Sequence, residues 1–172
     1  MRILIISDPH FNHENIIRYS NRPYQSTLEM DEAIIANWNR VVGEDDMVIC
    51  LGDFCFGVQE NISYYASRLN GRKVLIRGNH DRKASLYLEA GFSDVKSELY
   101  MPAEIVGSKQ TIILTHKPRL GLPIDVYNIH GHIHDCGLDP GLFNLDQHFN
   151  ASVENINYTP IDLQEIIKRM DW

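Results

Sequence analysis

Five short apolar runs in this chain each lead into residues that can bind a metal ion. Residues 3–6 run into Ser7-Asp8-Pro9-His10, and 47–51 into Gly52-Asp53. Residues 74–76 lead to Arg77-Gly78-Asn79-His80-Asp81, and 112–114 to Thr115-His116. Residues 126–129 lead to His130-Gly131-His132-Ile133-His134. Runs this short and continuous read as strands covered on both faces. In open α/β sheets the ligand crevice lies beyond the carboxyl ends of the strands. Five strands carrying imidazole, carboxylate or amide groups at that end would bring distant residues together.

Helical patterns fill the gaps. Ser26-Thr27-Leu28-Glu29 reads as a capping box, and Met30, Ile34, Trp38 and Val41 then recur at helical spacing. A second helix is expected over 59–69, ending near Asn70-Gly71, and a third over 83–90, stopping at Gly91. Thr159-Pro160 reads as a cap with proline in the first turn of a last helix. Its apolar stripe is Leu163, Ile166, Ile167 and Met170. A sixth strand is expected over 95–101 and a seventh, more polar, over 143–153. The first half alternates strand and helix, and the second half is mostly strand. That order gives a layered α/β protein with at least one largely parallel sheet. No repeat or linker divides residues 1–172, so one domain is expected.

Composition narrows the function. The chain is 44% hydrophobic and 23% charged, which suits a packed globular protein. No apolar run approaches the ~20 residues of a membrane span, and the first run is too short for a signal peptide, so a cytoplasmic location is expected. A net charge of -7 does not favour a large basic face for nucleic acid, although it leaves nucleic acid open as a substrate. Cys50, Cys55 and Cys136 are odd in number and lack a Cys-x-x-Cys spacing, which argues against a disulfide framework or zinc knuckle. Cys50 lies in an apolar run and reads as core.

The strand-end residues suit a metal site. Imidazole and carboxylate ligands select first-row ions such as Mn, Fe, Co, Ni or Zn. Asp8 and His10 are two apart, as are His132 and His134, so each pair would share a face of an extended segment. Seven candidate ligands exceed the needs of one ion and imply two ions sharing a carboxylate. Such a pair activates a bridging water and neutralises phosphoryl oxygens during in-line displacement at phosphorus.

Asp-x-His, Gly-Asp, Gly-Asn-His-Asp, a lone His after a strand and Gly-His-x-His, in that order over residues 8–134, resemble the calcineurin-like metallophosphoesterase superfamily. The run from Asp8 to Ile17 and the segment Asn157-Tyr158-Thr159-Pro160-Ile161 are similar to a small bacterial and phage branch. The resemblance implies a four-layer α/β/β/α sandwich with two central mixed sheets. It implies a hydrolase of phosphomonoesters or phosphodiesters with two divalent ions, Mn favoured. Asp8, His10 and His134 would hold the first ion, and Asn79, His116 and His132 the second, with Asp53 bridging. His80 would be the catalytic histidine, and Asp81 would orient it.

Each residue also has a plainer reading. His116 alone could be a satisfied core histidine, and Asn79 alone a turn residue. His13 could face the substrate phosphate or bond within its loop. Arg82 could hold a phosphate oxygen or be a solvated arginine at a helix start. His130 reads as supporting or structural, and His148 as rim. Two other functions stay open: a non-catalytic interaction scaffold, and a nuclease using the same site. The presence of His80 argues against the first. A basic or aromatic groove leading to the metals would favour the second. Oligomeric state is not legible.

Overall fold

The computed structural model describes residues 1–170. The first sheet contains β1 (Ile3–Ile6), β2 (Met47–Cys50), β3 (Arg72–Ile76), β4 (Asp94–Lys96) and β9 (Ile161–Asp162), in the order β4-β3-β2-β1-β9. β1 to β4 are parallel neighbours, and β9 closes the edge antiparallel to β1. The second sheet contains β5 (Glu98–Met101), β6 (Thr111–Thr115), β7 (Val126–His130) and β8 (His148–Asn150), in the order β5-β6-β7-β8. There β6, β7 and β8 are parallel and β5 is antiparallel to β6. Both sheets are therefore mixed, within the expected four-layer α/β/β/α sandwich.

Among the described residues six α-helices flank the sheets: α1 (Glu14–Tyr19), α2 (Thr27–Val41), α3 (Glu60–Ser67), α4 (Ala84–Glu89), α5 (Ala103–Val106) and α6 (Leu163–Met170). Consecutive residues of the central strands are buried, among them Leu4, Ile5, Ile6, Leu75, Ile76, Ile112, Ile113 and Leu114. Burial on both faces explains why these runs are continuous and do not alternate. α2 buries Met30, Ile34 and Trp38, and α6 buries Leu163, Ile166 and Ile167. No helix among the described residues is long and apolar enough to cross a membrane.

Several expectations need correction. The strand expected over 95–101 is two strands in different sheets: β4 pairs with β3, and β5 pairs with β6. The chain changes sheets at Ser97, which apolar periodicity cannot reveal. Of the strand expected over 143–153, only His148–Asn150 forms, between two short 3-10 turns. Thr159-Pro160 does not cap the last helix. Ile161 and Asp162 first pair with Ile5 and Leu4, and the Asp162 carboxylate then accepts from the Gln164 N–H at 2.8 Å. The Ser26 cap forms as expected, its Oγ accepting from the Glu29 N–H at 3.2 Å. Glu29 reaches one residue further back than a capping box requires, to the Gln25 N–H at 2.7 Å.

One buried carboxylate on α2 positions the loop after β1. Asp31 accepts from the Asn12 N–H at 3.1 Å and from the Tyr65 hydroxyl at 2.6 Å. Burial pushes its carboxyl up to about 6, although both hydrogen bonds pull the other way. The unfolded carboxyl releases its proton near the ordinary 3.8, the folded one only near 6. Proton binding therefore favours the folded state; the advantage is complete below about pH 4 and is lost as pH rises through 6. That difference is worth roughly 2–3 kcal/mol. In urea unfolding at pH 4.5 and 7.5, Asp31→Asn should remove this part of the wild-type pH dependence. An identical pH dependence in the variant would show that Asp31 carries none of it.

Candidate metal centre

Parallel pairing puts the carboxyl ends of β1, β2 and β3 on one edge. The loops after β1 and β2 continue side by side, the Asp8 N–H donating to Gly52 O at 3.1 Å and the His10 N–H to Asp53 O at 3.0 Å. The second sheet is joined to this edge, with the Ser7 N–H on Ala151 O at 2.9 Å and the Val153 N–H on Ser7 O at 3.0 Å. The loops after β6 and β7 meet there too, where the Gly131 N–H donates to His116 O at 2.9 Å. All five strand ends thus converge.

Asp8, His10, Asp53, His132 and His134 have φ between 51° and 71°, five of the nine left-handed non-glycine residues described. Each costs of order 1 kcal/mol and needs its surroundings to hold it. The expectation that Asp8–His10 and His132–His134 are extended is therefore corrected. Asp8 and His10 still fall together, in one group with His134. His132 joins Asp53 and His116 in a second group. Neighbouring histidines of the Gly-His-x-His motif thus serve different groups, which alternation along a strand would not allow.

Asp53 lies between the two groups. Its Oδ2 is 3.5 Å from His10 Nε2 and 3.5 Å from His116 Nε2. Its Oδ1 accepts from the His80 N–H at 2.9 Å. His116 Nδ1 donates to Leu51 O at 2.7 Å, which turns Nε2 toward the site. Nε2 lies 2.9 Å from Asn79 Oδ1. Buried Asp8 Oδ1 and His10 Nε2, 3.9 Å apart, have no hydrogen-bond partner. Unpaired buried polar atoms ordinarily cost about 1–3 kcal/mol each. Here they are lone pairs aimed at one region, the donor set of a cation site. Burial, then the charge of Arg22, hold His10 well below the usual histidine range, so its ring is neutral and able to ligate. Burial also pushes the Asp53 carboxyl up against the pull of His116, an imbalance that a bound cation would reverse. The residues present fit two divalent ions.

The supporting shell includes residues that sequence reasoning passed over. Glu154 Oε1 accepts from His134 Nδ1–H at 3.0 Å and from Arg22 Nε–H at 2.9 Å. Arg22 also donates to Asp8 O at 2.8 Å and Pro9 O at 2.9 Å. Burial disfavours protonated His134, but the Glu154 hydrogen bond and the charge of Asp8 outweigh it and raise the pKa. Ser152 Oγ–H and the His132 N–H donate to Asp8 Oδ2 at 2.9 and 2.8 Å. No local pattern links Arg22 to Glu154 across 132 residues.

Asp81 departs from expectation. Its Oδ2 accepts from the Asp53 and Gly78 N–H groups at 2.9 and 2.7 Å. Its Oδ1 accepts from the Phe54 N–H at 3.0 Å and the Tyr87 hydroxyl at 2.8 Å. The carboxylate clamps the loops after β2 and β3 and is committed to them, so it positions His80 through the backbone and not through the ring. The His80 side chain is 47% exposed, with Nε2 4.0 Å from Asp53 Oδ2. His13 takes the loop role: its Nδ1 is 3.2 Å from His10 Nδ1, and its ring stacks on Phe56. The Arg82 guanidinium donates to Gly57 O, tying its loop to the one after β2. His130 is fully buried behind the ligands, where burial lowers its pKa to about 4. His148 packs edge-on against it.

A sequence model described as calcineurin-like phosphoesterase matches residues 1–169. The chain is similar to an uncharacterised protein of Methanocaldococcus jannaschii, 37% identical over 174 residues, covering 99% of this chain and 92% of that protein. It is also similar to the gene 66 protein of Mycobacterium phage L5, 36% identical over 78 residues, covering 44% of this chain and 37% of that one. Its fold resembles the crystal structure of a protein of unknown function from Aquifex aeolicus, with a TM-score of 0.75, 26% identity and 98% of each chain covered.

Glu154→Ala should leave buried Arg22 without its carboxylate and His134 without its acceptor. A loss of roughly 3 kcal/mol in urea unfolding is expected. Mn²⁺ affinity, read by calorimetric titration, should fall about 10–100-fold. Glu154→Gln, which keeps an acceptor oxygen, should lose less of both. Wild-type stability and affinity in the alanine variant would remove Glu154 from the supporting shell.

Proposed function

This chain belongs to the calcineurin-like phosphoesterase family, and on that premise we propose that its strand-end residues hydrolyse phosphomonoesters and phosphodiesters by in-line attack at phosphorus. The observation that carries the site assignment is the Asp53 Oδ2 position, 3.5 Å from an imidazole nitrogen on either side. Asp8, His10 and His134 would hold one divalent ion, and Asn79, His116 and His132 the other, with Asp53 available to both. Two such ions supply an activated water near neutral pH and neutralise phosphoryl oxygens as charge develops; Mn²⁺ is favoured.

The chain's own groups do the rest. The His80 N–H bond to Asp53 Oδ1 places its ring beside the centre, while the half-exposed side chain stays free to meet substrate. His80 donates a proton to the leaving oxygen or a hydrogen bond to the phosphoryl oxygens. Asp81 fixes the backbone that carries both Asp53 and His80. Asn79 and His80 lie at an exposed rim, which admits both arms of a diester.

Hydrolysis of a chromogenic phosphodiester and a phosphomonoester with added Mn²⁺ tests this reading. His80→Ala should lower kcat/KM by about 10²–10³ while two ions still bind. Asp53→Asn should weaken ion binding and activity together. Unchanged activity in both variants would overturn the site assignment.

A further inference from the structure

A cavity of about 370 Å³ opens beside the metal centre, with Arg77, Asn79, Glu98, His116, Lys117 and Arg119 among its lining residues. Asn79 and His116 belong to the proposed second ion. Arg77 comes two residues before Asn79, and Lys117 directly follows His116. Cationic side chains from the ends of two different strands therefore enter one cavity.

The charges there are not neutralised internally. Arg119 is paired with Glu98. Arg77 and Lys117 are exposed, and neither takes part in an ion pair among the described residues. In a chain of net charge -7, two free cations next to the ligands make a local anion-attracting mouth. The cavity that His80 lines is different in kind, with Phe56 and Val58 exposed and Arg82 held on Gly57 O.

We propose that Arg77 and Lys117 form a second phosphate subsite, so that the natural ester carries a further phosphate beside the scissile one. The inference rests on the phosphoesterase reading and deepens it. A guanidinium fork and an ammonium point charge together can hold one phosphate group. Two substrate chemistries would present it: the next phosphodiester of a polynucleotide strand, or the adjacent phosphate of a nucleoside diphosphate ester. Because the cations are solvent-exposed, the gain should be modest and salt-sensitive.

The test uses the full chain loaded with Mn²⁺ at low ionic strength and three chromogenic substrates. These are the p-nitrophenyl ester of thymidine 5′-monophosphate, the same ester with a 3′-phosphate, and the p-nitrophenyl ester of thymidine 5′-diphosphate. One of the last two should exceed the first about tenfold in kcat/KM. The 3′-phosphate ester leading would indicate a polynucleotide, and the diphosphate ester a nucleoside diphosphate. R77Q/K117Q should erase the preference, and so should raised salt in the wild type. No preference in the wild type, or one that persists in the double variant, would overturn the subsite. No hydrolysis of any ester would instead sink the phosphoesterase reading. The subsite is then still read by binding: thymidine 3′,5′-bisphosphate should bind about tenfold more weakly to the double variant. Equal affinity would reject it.

Discussion

Three aspartates are buried side by side at the strand ends, and the placing of their oxygens organises the structure around them. Asp8, Asp53 and Asp81 are 0%, 2% and 8% exposed. A buried carboxylate must be paired, hydrogen-bonded or protonated. Asp81 is satisfied by four donors from the chain itself. Asp8 Oδ2 is satisfied by the His132 N–H and the Ser152 hydroxyl, and Asp53 Oδ1 by the His80 N–H. Asp8 Oδ1 and Asp53 Oδ2 instead point at imidazole nitrogens. The other oxygens hold these two in place, and Asp8 Oδ1 is left with no hydrogen-bond partner of its own.

That crowding dictates backbone choices around it. A Cβ on Gly78 would strike the Asp53 carboxylate, and one on Gly131 would strike Asp8 and Ser7. Both glycines are needed for close approach, not for an unusual backbone angle. The left-handed turns at Asp8, His10, Asp53, His132 and His134 have the same origin. They re-aim the side chains: His132 and His134, which an extended segment would send to one side, enter different groups. The sheets can impose this strain because their strands are buried on both faces, and because the Ser7 backbone hydrogen-bonds to Ala151 and Val153 at their junction.

The sequence disclosed what depends on chain order and hid what depends on contact across it. The five strand ends were legible because each apolar run terminates in a polar cluster, and the parallel pairing rule places such ends together. Asp8, His10, Asp53, His116, His132 and His134 accordingly meet. Glu154 was not legible, because its partners His134 and Arg22 lie 20 and 132 residues away. The work of Asp81 was not legible either. Its neighbour in sequence is the His80 ring, while its actual donors belong to Asp53, Phe54, Gly78 and Tyr87. The split at Ser97 escaped because both halves of 95–101 carry strand-forming side chains, and only tertiary pairing assigns them to different sheets. Family likeness supplied the division of ligands between two ions, against the extended-segment reading of Gly-His-x-His.

Arg22 shows how the scaffold and the centre are coupled. Its guanidinium is buried, spans the Asp8 and Pro9 carbonyls, and meets Glu154, which in turn holds His134. It thus fixes the backbone of Asp8 and, through Glu154, the ring of His134, two members of the same group. A buried cation so close to the proposed metal site would repel an ion bound there. Glu154 resolves the conflict by screening the guanidinium at 2.7 Å. The ammonium of a lysine would lack the planar fork that reaches two carbonyls and a carboxylate at once. Removing the positive charge would leave Glu154 with His134 alone to compensate its charge. The pair is therefore best understood as a single neutral strut, whose polarity orients the ligands without adding net charge to the centre.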